Sequence, residues 1–198
     1  FFVRPGTDED WHRRWVEDRL GWYTDLGIQP ERLRKREHGK DELAHYASGC
    51  TDVEFQMPFG WSELEGIANR SDYDLTQHSK ESGKDLSYFD DAKKEKFIPH
   101  VVETSVGVDR TCLSLLIDAY HEEEVKDEKR VVLRLHPSVA PFQVAVFPLS
   151  NKISEPARNL EKELRKFFAA DLDTKDSIGR RYRRHDEIGT PFCVTYDF

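Results

Sequence analysis

The spacing of apolar and polar residues in the N-terminal part of the chain predicts a mixture of helices and strands. Trp11, Trp15 and Leu20 recur near the helical period, which predicts a helix over 8–26. Val53, Phe55 and Met57 alternate with polar residues, as expected for a strand with one buried face. By the same reasoning we predict a short charged helix from Pro30, strands at 61–68 and 97–103, a helix over 72–83 capped by Ser71, and a helix over 108–122.

A different pattern follows a nearly continuous run of charged residues at 122–130. We predict strands at 131–135, 143–147 and 192–198, helices over 154–168 and 176–185, and a short strand between these helices. Strands that alternate with helices are typical of an α/β unit with a largely parallel sheet. The charged run therefore marks the predicted boundary between two domains, residues 1–127 and 128–198.

Charge is distributed unevenly between these two parts. The 198-residue chain has a net charge of −8, yet residues 128–198 hold 13 Lys and Arg against 10 Asp and Glu, whereas residues 1–127 hold 17 against 28. The second part is therefore the better surface for a nucleic acid. Its positive charge is concentrated in Arg180, Arg181, Arg183 and Arg184. A solvated helix end is an equal alternative for this cluster.

Composition and cysteine spacing exclude several classes of protein. Aromatic residues make up 12% of the chain, which argues against disorder. No apolar run approaches the roughly 20 residues of a membrane-spanning helix, and the first residues are too charged for a signal peptide. The three cysteines are far apart, so neither a disulfide scaffold nor structural zinc is expected. Free cysteines are typical of a reducing compartment, and we therefore expect a cytoplasmic location. Because the sequence begins with Phe1 and not with Met, we predict that it is an excerpt from a longer protein.

Two segments carry residues suited to catalysis, although the common phosphate-binding and hydrolase motifs do not occur. In the first segment, residues 59–70, Glu63 and Glu65 are two positions apart on a predicted strand and are expected to point to one face. Such a pair could bind Mg²⁺ or another cation. A solvated face is the more common role of paired carboxylates, and we weigh it as the alternative.

The second segment, residues 100–110, runs from a predicted strand directly into a helix. Glu103 and Ser105 share one face and can hold an ammonium group through charge-assisted hydrogen bonds. Gly107 lets a ligand approach the backbone, and the helix N-terminus together with Arg110 favours a phosphate. An ordinary strand-turn-helix with a surface arginine is the alternative.

Together these two segments closely resemble the homodimeric class II glycyl-tRNA synthetases. Residues 103–110, ETSVGVDR, are similar to that family's class II motif 3, and residues 59–70, FGWSELEGIANR, to the strand that precedes it. Residues 178–195 resemble the anticodon-binding domain that the glycyl, prolyl, threonyl and histidyl enzymes share. Further similarities lie at 4–6, 82–84, 135–137 and 144–149.

The resemblance implies a fold and a reaction. The implied fold class is α+β followed by α/β: the second half of a class II synthetase antiparallel sheet with helices, then a truncated α/β anticodon-binding domain. The implied reaction is that of a glycine–tRNA ligase, in which glycine and ATP, with Mg²⁺, give glycyl-adenylate and the glycyl group passes to the 3′ end of tRNA(Gly). A cytoplasmic homodimer with no membrane or DNA partner is expected.

The resemblance also implies roles for individual residues. Glu103 would hold the glycine ammonium with help from Ser105, Arg110 would contact the γ-phosphate, and Glu63 would act at ATP through Mg²⁺. The implied sets are, for ATP, Glu63, Leu64, Gly107, Val108, Asp109 and Arg110; for glycine, Glu103, Thr104, Ser105, Val106 and Gly107; and for tRNA, Arg180, Arg183 and Arg184. Pairing of these arginines with Asp186 and Glu187 is the structural alternative.

The chain lacks counterparts of class II motifs 1 and 2, including the motif 2 arginine that binds the α-phosphate of ATP. The fragment alone is therefore expected to be inactive. A non-catalytic, synthetase-like accessory protein that binds nucleic acid is the alternative function, and a sister synthetase is another. The joint retention of Glu63, Glu103, Ser105 and Arg110 favours the enzyme, because a binding paralogue has no need of them, and residues 103–105 favour glycine.

Overall fold

Helices and strands alternate along the chain in the computed structural model, which describes residues 1–125 and 128–198. The chain divides into two units, Phe1–Ser114 and Leu115–Phe198, each with its own internal contacts. The domain boundary predicted between residues 127 and 128 falls at the residues outside this description, so that boundary stays a prediction.

The first unit contains seven strands, two complete helices and the start of a third. Its strands are β1 (Phe2–Val3), β2 (Leu33–Glu37), β3 (Gly49–Met57), β4 (Gly60–Ser71), β5 (Tyr88–Asp90), β6 (Glu95–Phe97) and β7 (His100–Val106). Its helices are α1 (Asp8–Asp25), α2 (Tyr73–Ser82) and α3 (Val108–Ala119), the last of which continues past Ser114. Five strands form an antiparallel sheet in the order β1-β7-β4-β3-β2, and β5 and β6 form a separate antiparallel pair.

Helix α1 packs against one face of the five-stranded sheet, where it contacts β3, β4 and β7. Val16 and Tyr23 of the helix are buried there, as are Val53, Phe55 and Ile67 of the sheet. The predicted helix over 8–26 and the predicted strands at 53–57 and 61–68 are therefore confirmed. Burial of one apolar stripe on α1 against alternate strand residues holds this layer together.

Two predictions for the first unit are wrong in part. Pro30 opens a single 3₁₀ turn, Pro30–Arg32, because the next residues form β2 and pair antiparallel with β3, and such tertiary pairing overrides helical propensity. The strand predicted over 97–103 is split into β6 and β7 at Pro99, which has no N–H to donate to a sheet.

Helix α2 has the predicted extent, with a different cap. It ends at Ser82, and its C-cap Gly83 has a φ of 66°, the left-handed conformation that glycine adopts without strain. Its N-cap is Asp72, one residue after the predicted Ser71. Ser71 instead has a φ of 47° and turns the chain from β4 into the helix.

The second unit contains the end of α3, a pair of antiparallel strands and a parallel sheet. Its elements are β8 (Tyr120–Val125), β9 (Glu128–Leu133), β10 (Val144–Pro148), α4 (Ser154–Leu164), β11 (Ala170–Leu172), α5 (Ile178–Glu187) and β12 (Phe192–Tyr196). The sheet has the order β11-β10-β12, and both of its pairings are parallel. The predicted α/β arrangement with a parallel sheet is thus confirmed.

The charged run at 122–130 lies within strands in its described part. Helix α3 ends at Ala119, three residues before its predicted end, because strand β8 begins at Tyr120 and pairs antiparallel with β9. Glu123 lies opposite Arg130 and Glu124 opposite Lys129, so opposite charges face each other across the ladder. Such cross-strand pairs stabilise a sheet, which explains why a polar run forms strands here.

None of the helices among the described residues has the length and apolar character needed to cross a membrane.

Candidate functional site

The sheet face opposite α1 carries polar side chains from β2, β3, β4 and β7. Side chains alternate between the two faces of a strand, so Gly66 and Ala68 lie on this face, whereas Ile67 lies on the face covered by α1. Two rows of neighbouring residues cross the sheet on the open face: Ser105, Gly66, Asp52 and Arg36 in one, and Glu103, Ala68 and Cys50 in the other.

A β-bulge places Glu63 and Glu65 on opposite faces of this sheet. Val53 of β3 pairs with Glu65, but the next residue, Glu54, pairs with Glu63, so Leu64 is the extra residue in β4. The prediction that both carboxylates point to one face is therefore wrong. A regular strand would keep positions i and i+2 together, and the inserted residue reverses that relation.

The two carboxylates consequently have different environments. Glu65 is fully buried against α1, where its carboxylate accepts hydrogen bonds from Nε of Arg19 at 2.8 Å and from the hydroxyl of Tyr23 at 3.0 Å. Burial, together with the Glu65 carboxylate, raises the pKa of Tyr23. Glu63 is exposed on the open face, and its Oε1 lies 3.5 Å from the position that a Cβ on Gly66 would occupy.

A pocket of about 320 Å³ lies on the open face. Its small residues include Ala44, Ala47, Cys50, Gly66 and Ala68. Its polar groups include Glu42, Arg70, Glu103 and Ser105. The structure thus brings Glu103 and Ser105 together as expected, above a floor of small side chains that leaves room for a small polar ligand.

Arg70, at the end of β4, holds Glu103 in this pocket. Its Nη1 donates to Oε2 of Glu103 at 2.8 Å, its Nε and Nη2 donate to the two carboxylate oxygens of Asp74 at 2.5 and 2.8 Å, and its guanidinium lies 4.1 Å from the ring centroid of Tyr46. The hydrogen bond with Asp74 raises the pKa of Arg70 and lowers the pKa of Asp74. Sequence reasoning missed the role of Arg70, because its contact with Glu103 depends on the pairing of β4 with β7.

Arg110 connects the start of α3 to the bulged segment of β4. Its Nη1 donates to the backbone carbonyl of Glu63 at 2.6 Å. The carbonyl of Gly107 accepts from both the backbone N–H and the hydroxyl of Thr111, at 3.0 Å each, and so anchors the first turn of the helix. The structure therefore brings together Glu63 and Arg110, which were predicted to act on the same ligand.

The other residues implied for ATP and glycine lie around these groups in different orientations. Leu64 is buried, so only its backbone is open to a ligand. Thr104 and Val106 alternate with Glu103 and Ser105 and pair with Ile67 and Glu65, so they lie on the opposite side of β7 from the pocket. Val108 and Asp109 are exposed in the first turn of α3.

The arginines of α5 divide into one buried and three more exposed residues. Arg181 is buried, and its guanidinium donates to the carbonyls of Pro148 at 2.6 Å, Asp176 at 2.8 Å, and Thr174 and Lys175 at 3.1 Å each. It therefore ties the segment after β11 to the end of β10. The prediction that Arg181 points away from the other three arginines agrees with this position.

Arg184 makes strong ion pairs, whereas Arg180 and Arg183 do not. Arg184 donates to Asp173 at 2.7 Å and to Asp176 at 2.9 Å, and these hydrogen bonds raise its pKa. Arg183 lies 3.4 Å from both Glu187 and Glu128, and Arg180 lies 3.6 Å from Asp176. Glu187 is thus a partner, as the structural alternative proposed, but Asp186 pairs with Arg130 instead.

Comparison with known proteins identifies relatives for the whole chain. Residues 143–198 match the family model described as "Anticodon binding domain". The chain is 56% identical over 198 residues to the "Glycine--tRNA ligase" of Caldanaerobacter subterraneus subsp. tengcongensis and 53% identical over 199 residues to that of Lysinibacillus sphaericus. All of this chain is covered in both alignments. Over its whole length the chain is homologous to glycine–tRNA ligases.

This homology confirms the family that residues 59–70 and 103–110 indicated. The chain spans 43% of the length of each of these two relatives, and 45% of the "Glycine--tRNA ligase" of Thermobifida fusca, to which it is 56% identical over 208 residues. The glycine–tRNA ligases are enzymes of the aminoacyl-tRNA synthetase type. The match at 143–198 confirms an anticodon-binding domain in the part of the chain that holds the parallel sheet.

Proposed function

We propose that this chain is part of a glycine–tRNA ligase that activates glycine with ATP and transfers it to tRNA(Gly). The observation that carries the proposal is the open face of the five-stranded sheet, where Glu103 and Ser105 share a small pocket and Arg110 contacts the Glu63 segment. Identity above 50% to the two relatives over the whole chain supports it. The sheet and α1 then correspond to the second half of a class II catalytic domain.

The pocket has the chemistry expected for glycine. Oε2 of Glu103 accepts from Arg70, which leaves Oε1 for the glycine ammonium, and the Ser105 hydroxyl assists as an acceptor. Cys50, Gly66 and Ala68 line the pocket with small side chains. Since every competing amino acid is larger than glycine, a crowded acidic pocket is sufficient for steric exclusion, and no editing site is required.

The start of α3 supplies the groups for ATP. The helix N-terminus at Val108 and the guanidinium of Arg110 favour the phosphates, with Arg110 at the γ-phosphate. The exposed carboxylate of Glu63 is the hard oxygen donor that Mg²⁺ prefers, so the residues fit this ion. When bound, Mg²⁺ neutralises phosphate charge. The glycine carboxylate attacks the α-phosphorus, pyrophosphate leaves, and positioning rather than a general base accelerates the step.

The partners and setting follow from the same proposal. The complete protein would act as a cytoplasmic homodimer on tRNA(Gly), with the domain that contains residues 143–198 facing the anticodon. The retained pocket gives no support to the alternative function of a non-catalytic accessory protein. Such a protein would have no use for the residues that we propose to bind glycine and ATP.

Replacing Arg110 with Lys tests the ATP part of the proposal. The assay uses a chimeric enzyme in which these 198 residues replace the matching segment of the Caldanaerobacter relative. The unsubstituted chimeric enzyme should show glycine-dependent ATP–pyrophosphate exchange. Arg110→Lys keeps the charge but loses the planar fork, which can bind a phosphate while it donates to the Glu63 carbonyl, so we expect exchange to fall at least about tenfold.

A lysine at an exposed arginine of the same unit is the matched control. Arg14 on α1 has a side chain that is 65% exposed, and Arg14→Lys should leave exchange unchanged. An Arg110→Lys enzyme as active as the Arg14→Lys control would contradict the role of Arg110. A folded chimeric enzyme without any exchange would contradict the proposed function itself.

Salt dependence of tRNA binding separates the arginines of α5. Each lost phosphate contact should flatten the slope of log affinity against log salt by about 0.7–0.9. Because Arg183 has only long ion-pair distances, we expect Arg183→Ala to flatten this slope and leave the melting temperature nearly unchanged. Arg184→Ala should lower the melting temperature by about 2–4 °C and leave the slope unchanged, because its partners are Asp173 and Asp176.

Both variants are measured in the chimeric enzyme, by tRNA binding at several salt concentrations and by thermal melting. An unchanged slope in Arg183→Ala would remove Arg183 from the RNA surface. A flattened slope in Arg184→Ala would show that Arg184 leaves its carboxylate partners to contact RNA.

A further inference from the structure

A cluster of potential metal ligands lies at the edge of the open sheet face. Within residues 1–125 and 128–198, one group of three side chains offers ligand atoms within 4.8 Å of one another: His38, Cys50 and Asp52. All three are half-buried or buried. They combine an imidazole nitrogen, a sulfur and a carboxylate oxygen, which is the mixture of donors that zinc binds in proteins.

The backbone holds these three side chains in a fixed relation. Cys50 and Asp52 are two positions apart on β3 and so share a face. Arg36 pairs with Asp52 in the β2–β3 register, and the N–H of His38 donates to the carbonyl of Cys50 at 3.0 Å, which extends the ladder beyond β2. His38 is therefore the direct cross-strand neighbour of Cys50. Ligands placed on a sheet are held more accurately than ligands on a loop.

The distances are close to those that a tetrahedral ion requires. Bonds of about 2.0–2.3 Å to an ion place neighbouring ligand atoms roughly 3.3–3.8 Å apart. Nε2 of His38 now lies 2.7 Å from Oδ2 of Asp52, and no pair of the three ligand atoms is more than 4.8 Å apart. Small side-chain rotations therefore suffice to surround an ion.

We propose that His38, Cys50 and Asp52 form a binding site for a divalent transition-metal ion, with zinc the best match. His38 and Cys50 also line the pocket that contains Glu103 and Ser105, so an ion at this site would lie beside that pocket. Binding forms a bond between the ion and Sγ of Cys50 and releases the thiol proton to solvent. This site rests on its own geometry and does not depend on the proposed function.

The charged groups around His38, Cys50 and Asp52 either attract a metal ion or compete with it for the ligand atoms. Burial raises the pKa of Cys50 to about 11, with further contributions from Asp52, Glu63 and Glu103, and the same carboxylates attract a cation. Arg36 is the competing cation: its Nη1 lies 3.5 Å from Oδ2 of Asp52 and 3.3 Å from Nε2 of His38. Its Nη2 pairs with Glu42, so the side chain keeps a partner when an ion displaces Nη1.

Titration of the 198-residue chain with Co²⁺, as a spectroscopic substitute for zinc, tests this site. We expect one equivalent of Co²⁺ to produce a thiolate-to-cobalt charge-transfer absorption, and Zn²⁺ to remove it by competition. Cys50→Ser should abolish the absorption. Because loss of even an outer partner of a ligand costs roughly 10–100-fold in affinity, Asp52→Asn and His38→Gln should weaken binding at least about tenfold.

Two kinds of control separate a metal site from a folding defect. Cys112→Ser and Cys193→Ser remove the other two cysteines and should leave the absorption unchanged. Arg36→Gln removes the competing cation and should tighten Co²⁺ binding at least about threefold, which no loss of folding can produce. Absence of the charge-transfer absorption in the unsubstituted chain, its persistence in Cys50→Ser, or weaker binding in Arg36→Gln would each overturn the proposal.

Discussion

Glu103→Gln is expected to lower kcat/KM for glycine in the chimeric enzyme by about 10- to 100-fold. Glu103 has a side chain that is 44% exposed, so the loss is that of a charge-assisted hydrogen bond, roughly 1.5–3 kcal/mol, and about 1.4 kcal/mol is one factor of ten in rate. Gln has nearly the shape of Glu, and its amide oxygen can still accept from Arg70. The substitution therefore removes the charge that the glycine ammonium needs and keeps the position of the side chain.

Asp74→Asn is the matched control for this result. It removes charge from the other partner of Arg70 without touching the pocket groups of Glu103 and Ser105. We expect it to change kcat/KM for glycine by much less than Glu103→Gln does, with kcat for ATP–pyrophosphate exchange nearly unchanged. A change below about threefold in Glu103→Gln, or equal losses in both variants, would show that Glu103 acts only through Arg70 and does not bind glycine.

The second large effect concerns stability. Glu65→Ala should lower the free energy of unfolding of the first unit by about 3–5 kcal/mol, since it leaves Arg19 and Tyr23 without their shared acceptor at a fully buried position. That loss is a large fraction of the roughly 5–15 kcal/mol that stabilises a typical domain. Urea unfolding measures it, followed by tryptophan fluorescence, because Trp11, Trp15, Trp22 and Trp61 all lie in the first unit.

Glu63→Ala provides the control for Glu65→Ala, because it removes the same group two residues away on the exposed face. Exposed substitutions usually change the free energy of unfolding by less than about 0.5 kcal/mol. Equal losses in the two variants would contradict the opposite placement of the two carboxylates by the bulge at Leu64.

Features that depend on residues close together in sequence were predictable. The helical period around Trp11 and Trp15, the stop at Gly83 and the alternation of strands and helices after residue 143 each predicted an element that the structure contains. The segments 59–70 and 103–110 indicated the correct family. Each is one continuous stretch of residues, so it can be compared with a family's motif without knowledge of the fold. Periodicity and turn chemistry are local properties, so one sequence carries them.

The tertiary structure decided which groups meet. The bulge at Leu64 reversed the side of Glu63, and Arg70 reached Glu103 across 33 positions of the chain. Arg181 is buried and donates to backbone carbonyls, although Arg180 and Arg183 on the same helix are exposed. His38, Cys50 and Asp52 have no zinc-binding spacing in sequence, yet the β2–β3 register brings their ligand atoms together. Register shifts and contacts between strands depend on the packing of the whole sheet, which no local pattern of residues specifies.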